Sequence, residues 1–325
     1  MREYRRQEPP YAVQIEFVEG CNLRCTFCGL QGIREKPGRD YKFMTEEILV
    51  SSLAQMGMLG WNPRVEFAMH GEPTMHPHYI DMIAAARIAA PHWQLMMTSN
   101  AGGLLRSPGP VANINKLFEV GLNILALDDY QGVAYVPKIR QALTENTVNS
   151  FVYDYPADKR GNPHQRHKIS EHKLVFLQDL TVATHGTHTK LSNHAGCGSK
   201  ALDEPIQQRC AQPFRELAIR WDGNVALCCN DWRGVHKCGN VMTDGIDAIW
   251  NGTAMGAARE KLYASDRNFG ICRGCDYKTY RNGLLPDKFG KDDMDIPDEQ
   301  TMADIEAACA GDPYTKPVLN PWEVG

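Results

Sequence analysis

The stretch Cys21-Asn-Leu-Arg-Cys25-Thr-Phe-Cys28 sets three thiols in a C-x3-C-x2-C spacing behind an apolar run, Ala12-Val-Gln-Ile-Glu-Phe-Val18, and a Glu19-Gly20 turn. The run reads as a β-strand, so the thiols sit on the loop that leaves its C-terminal end. Soft thiolates select zinc or iron–sulfur centres. Three of them on one short loop can hold three corners of a [4Fe–4S] cube and leave the fourth iron without a protein ligand, open to a small molecule.

Outward from this loop the chain alternates strands and helices. A polar loop over residues 31–40 leads into a helix from Thr45, a plausible N-cap, with Ile48, Leu49, Leu53 and Met56 at helical spacing. Residues 64–69 form the next strand candidate and run into His70-Gly71-Glu72-Pro73. A helix over 80–90, a strand over 93–100 ending in Thr98-Ser99-Asn100-Ala101, a helix over 111–120 and a strand over 122–127 follow, the last delivering Asp128, Asp129 and Tyr130. This spacing implies parallel β/α units. In barrels of such units the chemistry gathers at the C-terminal ends of the strands, where the cysteine loop, Glu72, Asn100 and Asp128 all fall.

Residues 150–155 and 173–177 read as two more strands, with a loop inserted over about 156–172 and expected near the mouth of the barrel. Six of the eleven histidines (His164, His167, His172, His185, His188 and His194) lie between 164 and 194. Their spacing matches no zinc pattern. The region reads as a solvated loop, with a phosphate- or carboxylate-binding loop as the alternative.

A second cysteine array begins at Cys210. Twelve residues, Gly223, four residues and Cys228 follow, and Cys272-Arg-Gly-Cys275 comes later. Asp222-Gly223-Asn224 between two apolar runs is a hairpin signal, with a glycine able to take the positive φ of a tight turn. Such a hairpin brings Cys210 and Cys228 toward each other. Four thiolates suit an iron–sulfur cluster or a structural zinc. Cys229 could replace Cys228 in the second array, although the hairpin count favours Cys228; Cys197, Cys238 and Cys309 belong to neither array.

At Cys21, Cys25, Phe27 and Cys28 the chain resembles the radical S-adenosylmethionine (SAM) superfamily, and at Cys210, Gly223, Cys228, Cys272 and Cys275 the SPASM and twitch auxiliary-cluster domains. The resemblance extends to Gly71-Glu72-Pro73, where His70 replaces the family's usual glycine, and to Ser99-Asn100. It implies an α/β fold, a partial (β/α)6 TIM-type barrel over 1–195, followed by a twitch domain, a truncated SPASM, over 196–285 and a tail over 286–325. It implies SAM and two [4Fe–4S] clusters, one on Cys21, Cys25 and Cys28 and one auxiliary on Cys210, Cys228, Cys272 and Cys275. Reductive cleavage of SAM would give a 5′-deoxyadenosyl radical that abstracts a substrate hydrogen, with Phe27, Gly71, Glu72, Pro73, Ser99 and Asn100 about the SAM. Asp128, Asp129 and Tyr130 are candidates to face the substrate, and Cys197 or Cys238 to return a hydrogen atom in an epimerase. Oxidation, epimerisation or rearrangement of a sugar- or amino-acid-like molecule is the expected reaction class. A ribosomal peptide or a modified nucleotide is the alternative substrate, and a cluster- or zinc-binding electron carrier the non-enzymatic one. A flavodoxin- or ferredoxin-type electron donor is the expected partner.

The 325 residues, 43% of them hydrophobic, suffice for one large domain and a smaller one. A net charge of −4 carries no overall basic footprint of a nucleic-acid binder. No apolar run approaches the ~20 residues of a membrane span and residues 1–10 hold no apolar signal core, which leads to a cytoplasmic expectation. Eleven cysteines in such a compartment argue for metal ligation rather than disulfides.

Overall fold

A computed structural model describes residues 8–33, 41–130, 133–164, 168–177 and 192–277. The first half runs β1 (Ala12–Ile15), β2 (Val18–Glu19), β3 (Lys42–Phe43), α1 (Glu46–Met58), β4 (Arg64–Phe67), α2 (Tyr79–Ala89), β5 (Leu95–Ser99), α3 (Pro110–Glu119), β6 (Ile124–Asp128), α4 (Tyr135–Glu145), β7 (Phe151–Tyr155) and β8 (Lys173–Leu177). Thr45 caps α1 as its sequence suggests, its hydroxyl accepting from Ile48 N at 3.4 Å. Strands β1, β4, β5, β6, β8 and β7 lie side by side in that order, all parallel. They form the wall of a partial barrel.

The order departs from strict succession at its end, where β8 pairs with β6 and pushes β7 to the edge. The compositions explain the exchange. Leu174, Val175 and Phe176 of β8 are buried on both faces, as an interior parallel strand requires. β7 carries Asp154 and leaves Phe151 57% and Val152 47% exposed, which an edge tolerates. Along the inner strands, Leu95, Met97, Leu125, Leu127, Leu174 and Phe176 pack into the main core with Leu53, Ile83 and Leu117 of the helices. The alternate residues Met96, Ile124, Ala126 and Val175 form a separate cluster on the concave face.

The inserted loop does not stay at the mouth. The His164 carbonyl accepts from Arg64 Nη1 at the start of β4, and His172 Nδ1 lies 2.7 Å from Leu122 O, below β6. The described part of the insert therefore closes the N-terminal ends of the strands, because Arg64 and the strand-end carbonyls there need partners. His167, His185 and His188 lie outside the described residues, as do Cys309 and residues 278–325, which include the tail expected over 286–325.

The second half contributes α5 (Gln212–Arg215), β9 (Glu216–Ile219), β10 (Asn224–Ala226), β11 (Gly239–Asn240), α6 (Ile246–Trp250) and α7 (Thr253–Tyr263). The β9–β10 hairpin is antiparallel, with Gly223 at φ +80° in its turn. β9 also pairs in parallel with β1, from Ala12↔Glu216 to Ile15↔Ile219. The barrel wall and the cysteine-rich segment thus share one nine-stranded sheet, joined at the strand that delivers the cysteine loop. Gln55 of α1 fastens the segment further, donating to Val241 O at 2.9 Å and accepting from Ile246 N at 2.8 Å. No helix among the described residues is long and apolar enough to cross a membrane.

Candidate active site

The Cys21–Cys28 loop rests on the ends of three neighbouring strands. Gly71 lies against the backbone leading into the loop: a Cβ there would stand 1.8 Å from Val18 O and 2.7 Å from Gly20 O, so only glycine fits. Glu72 N donates to Gly20 O at 2.9 Å beside it. The Glu72 side chain is buried and gathers the next two strand ends. Its Oε1 accepts from Thr74 N at 3.0 Å, Thr74 Oγ1 at 2.5 Å and Ser99 Oγ at 2.7 Å, and its Oε2 from Asn100 N at 2.7 Å. Burial raises the Glu72 carboxyl above its usual range against these bonds. Asn100 Nδ2 donates to Cys21 Sγ at 3.3 Å and to Asn22 Oδ1 at 2.9 Å. Pro73 opens the short turn Pro73–Met75 that follows.

On the open side of the loop, the Phe27 ring stands 5.9 Å from that of Tyr130, and the Tyr130 hydroxyl donates to Asp128 Oδ2 at 3.1 Å. Burial, then the Asp128 carboxylate, hold the Tyr130 hydroxyl well above its ordinary pKa, with smaller contributions from Cys25 and Cys28. The phenol stays protonated and the loop thiols lie within electrostatic reach. Asp129 instead uses its backbone, N to Leu177 O at 3.2 Å, to hold the ends of β6 and β8 together.

The rear thiols Cys210, Cys228, Cys272 and Cys275 are all buried. Burial first, then the charges of Cys229, Cys272, Cys210 and Cys275, push the Cys228 thiol far up, and burial lifts Cys275 to about 11. Cys229, whose charge also acts on Cys228, has its Sγ accepting from Gln212 Nε2 at 3.7 Å. Cys238 Sγ lies 3.8 Å from His236 O, and Cys197 packs on Gly32 and, with Leu30 and Trp232, against Cys21 and Cys28. None of the ten described cysteines is in a disulfide.

A buried polar chain connects the two thiol groups. His70 Nδ1 lies 3.0 Å from Glu16 Oε1, and its Nε2–H donates to Cys229 O at 2.8 Å. Glu16 Oε2 accepts from Trp221 N at 3.2 Å and lies 3.6 Å from Arg220 Nε, and Arg220 is paired with Glu19 just before the cysteine loop. Sequence reasoning saw His70 only as a departure from a motif and missed Glu16, Thr74, Asn22 and Arg220. The partners of Glu16 and Arg220, and Asn100 as partner of Asn22, are distant in the chain, whereas Thr74 bonds Glu72 two residues before it; the only signal in each case was a place at or beside a strand end.

The model of the radical SAM superfamily matches residues 15–149, and that of the SPASM iron–sulfur cluster-binding domain matches residues 210–276. The chain belongs to the radical SAM superfamily. A GTP 3',8-cyclase of Mycolicibacterium smegmatis is 31% identical to this radical SAM protein over 97 residues, 29% of this chain and 26% of the relative. The match thus spans about a quarter of that curated relative's length. The crystal structure of BtrN in complex with AdoMet and 2-DOIA is similar at a TM-score of 0.61 and 19% identity, covering 83% of this chain and 94% of BtrN. An open conformation of BtrN gives 0.56 and 16%, with the same coverage. Both similarities concern the fold.

A radical SAM enzyme with a SPASM domain uses SAM, a [4Fe–4S] cluster and auxiliary iron–sulfur. The residues present fit such groups. Without a cation, burial and the nearby Glu72 hold the Cys21 thiol up at about 12, and the rear thiols oppose one another's ionisation. A bound iron centre supplies the positive charge that makes several thiolates in so small a space favourable.

Proposed function

We propose that this radical SAM enzyme oxidises a small polar substrate at a carbon bearing a hydroxyl or amino group. When bound, SAM and the catalytic cluster supply hydrogen-atom abstraction, and an auxiliary cluster supplies a one-electron acceptor. Cys21, Cys25 and Cys28 would hold the first cluster, and Cys210, Cys228, Cys272 and Cys275 a single closed second one. Glu72, Ser99 and Asn100, joined in one hydrogen-bond network, would receive the SAM methionine and ribose, with Phe27 beside the adenine. Loss of a hydrogen atom, then of an electron and a proton, converts CH–OH to C=O or CH–NH2 to C=NH. Asp128 is the group we assign to take the proton, held in orientation by the Tyr130 hydroxyl.

The observation that carries the oxidative reading is the direct bond between the two regions. His70, next to Gly71 and Glu72, donates to the carbonyl of Cys229, the neighbour of Cys228. A redox-neutral rearrangement would have no use for an electron acceptor held so close to the SAM motif. BtrN, solved with AdoMet and 2-DOIA, supports a substrate of that size rather than a peptide. The 97-residue likeness to the GTP 3',8-cyclase favours a nucleotide as the second reading. A flavodoxin- or ferredoxin-type carrier would deliver the electron that starts each turnover.

The test is anaerobic incubation of the reconstituted enzyme with SAM, dithionite and panels of polyols, amino sugars and nucleotides, following 5′-deoxyadenosine and products by mass spectrometry. We expect C–H-deuterated substrate to pass deuterium to 5′-deoxyadenosine and to appear as product lighter by one deuterium and one hydrogen. Cys272→Ala/Cys275→Ala should keep SAM cleavage and lose that product. Product formation by the double variant at the wild-type rate refutes the oxidative reading, and turnover of GTP alone selects the second.

A further inference from the structure

Trp232 stands four residues beyond Cys228, in the loop that leaves β10, yet its side chain reaches the opposite thiol group. The indole lies on Gly29, the residue after Cys28: a Cβ there would be 2.4 Å from ring atoms Cδ2 and Cε2 and 2.8 Å from Nε1. The missing side chain at position 29 is what lets the ring touch the backbone of the cysteine loop. The His70 ring lies against the indole with centroids 4.3 Å apart and planes tilted by 32°, and His194 meets it edge-on at 5.1 Å. Trp232 forms a small cluster with Leu30 and Cys197, against which Cys21 and Cys28 pack.

The polar atom of this ring has no outlet. Trp232 is 6% exposed, and its Nε1–H is closed to solvent and has no hydrogen-bond partner among the described residues. A cavity of about 400 Å³ touches Trp232 together with Cys197, Arg233, Ile271 and Arg273, but the buried Nε1 does not open into it. Buried tryptophan N–H groups almost always find an acceptor. The electron-rich atoms still to be supplied on this side of Gly29 are the sulfurs of an iron–sulfur cluster on the neighbouring thiols.

We infer that the Trp232 indole N–H donates a hydrogen bond to a sulfur of the catalytic cluster, so that the auxiliary domain itself tunes the SAM-binding iron. This rests on Cys21, Cys25 and Cys28 being the ligands of that cluster. Trp232 is a positioning residue in this role. A donor aimed at a cluster sulfur favours the more negative, reduced state and raises the potential. The ring contact with His70, which also holds Cys229 O, makes this donor sensitive to how the auxiliary loop is seated.

The experiment compares wild type with Trp232→Phe, which keeps a ring and removes the N–H, in anaerobically reconstituted full-length enzyme. The readouts are iron content, an EPR-monitored redox titration of the signal that changes on SAM addition, and proton hyperfine couplings in H2O against D2O. We expect full iron, loss of one exchangeable coupling, and an approximately tenfold lower reduced-to-oxidised ratio at fixed potential, or ~59 mV for one electron. If Trp232→Phe fails to hold iron, benzothienylalanine at position 232, which exchanges only NH for sulfur, is measured instead. An unchanged potential with unchanged couplings overturns the inference and leaves Trp232 as packing. The triple variant Cys21→Ala/Cys25→Ala/Cys28→Ala separates the two levels. If it keeps the SAM-responsive signal, the ligand reading fails and the inference falls with it; if only Trp232→Phe is silent, the inference alone fails.

Discussion

Gly71→Ala is the sharpest test of how the cysteine loop is held. The added methyl carbon would sit 1.8 Å from Val18 O and 2.7 Å from Gly20 O, against an ordinary approach of about 3.5 Å. Both obstacles are backbone, so no side chain can rotate away, and the strand end must move by more than an ångström. That motion strains the Glu72 N to Gly20 O bond and displaces Cys21, the next residue along. Overpacking of this kind costs about 1–3 kcal/mol, with about 1 kcal/mol more for a lost backbone hydrogen bond. At roughly 1.5 °C per kcal/mol for a chain of this size, thermal unfolding should drop by on the order of 3–6 °C. Iron analysis should show the catalytic cluster lost and the auxiliary cluster kept. The control is Gly57→Ala, near the end of α1 with nothing within 4 Å of the added carbon, which should be neutral or stabilising by about 0.5 kcal/mol. Wild-type melting and iron content in Gly71→Ala would refute the close approach and the cradle built on it.

Glu216, at the start of β9, accepts from Gln212 at 2.9 Å and Gln14 at 3.5 Å, and burial, then the charge of Glu66, lift its carboxyl to about 7. Between the unfolded value and about 7 the folded state holds a proton that the unfolded chain has released, so stability falls as pH rises across that window. Glu216→Gln should therefore flatten the decline in melting temperature between pH 5 and pH 8 and raise stability at pH 8 by on the order of 2 kcal/mol. A steeper decline in the variant would contradict the assignment. Cys238→Ser should keep full iron in both clusters and a wild-type rate of 5′-deoxyadenosine formation, because this thiol points at His236 O. A loss of iron there would give Cys238 a ligand role.

The local sequence carried what depends on near neighbours. The three-thiol spacing, the Thr45 cap, the alternation of apolar runs with helical repeats and the Asp222-Gly223-Asn224 turn are each complete within a few residues, and each is found in the fold. Three features depended on partners distant in the chain. The exchange of β7 and β8 follows from which strand is apolar on both faces, a preference that acts only once a sheet exists to bury it. The pairing of β9 with β1, across about two hundred residues, turned an expected appendage into part of the barrel wall. His70 read as a blemish in a motif, yet in the folded chain it joins Glu16 to the Cys229 carbonyl and packs its ring against Trp232. A sequence reveals the chemistry of thiols at short spacing because ligand geometry is local. It leaves open which surfaces close over them, because burial and hydrogen-bond satisfaction are properties of the assembled chain.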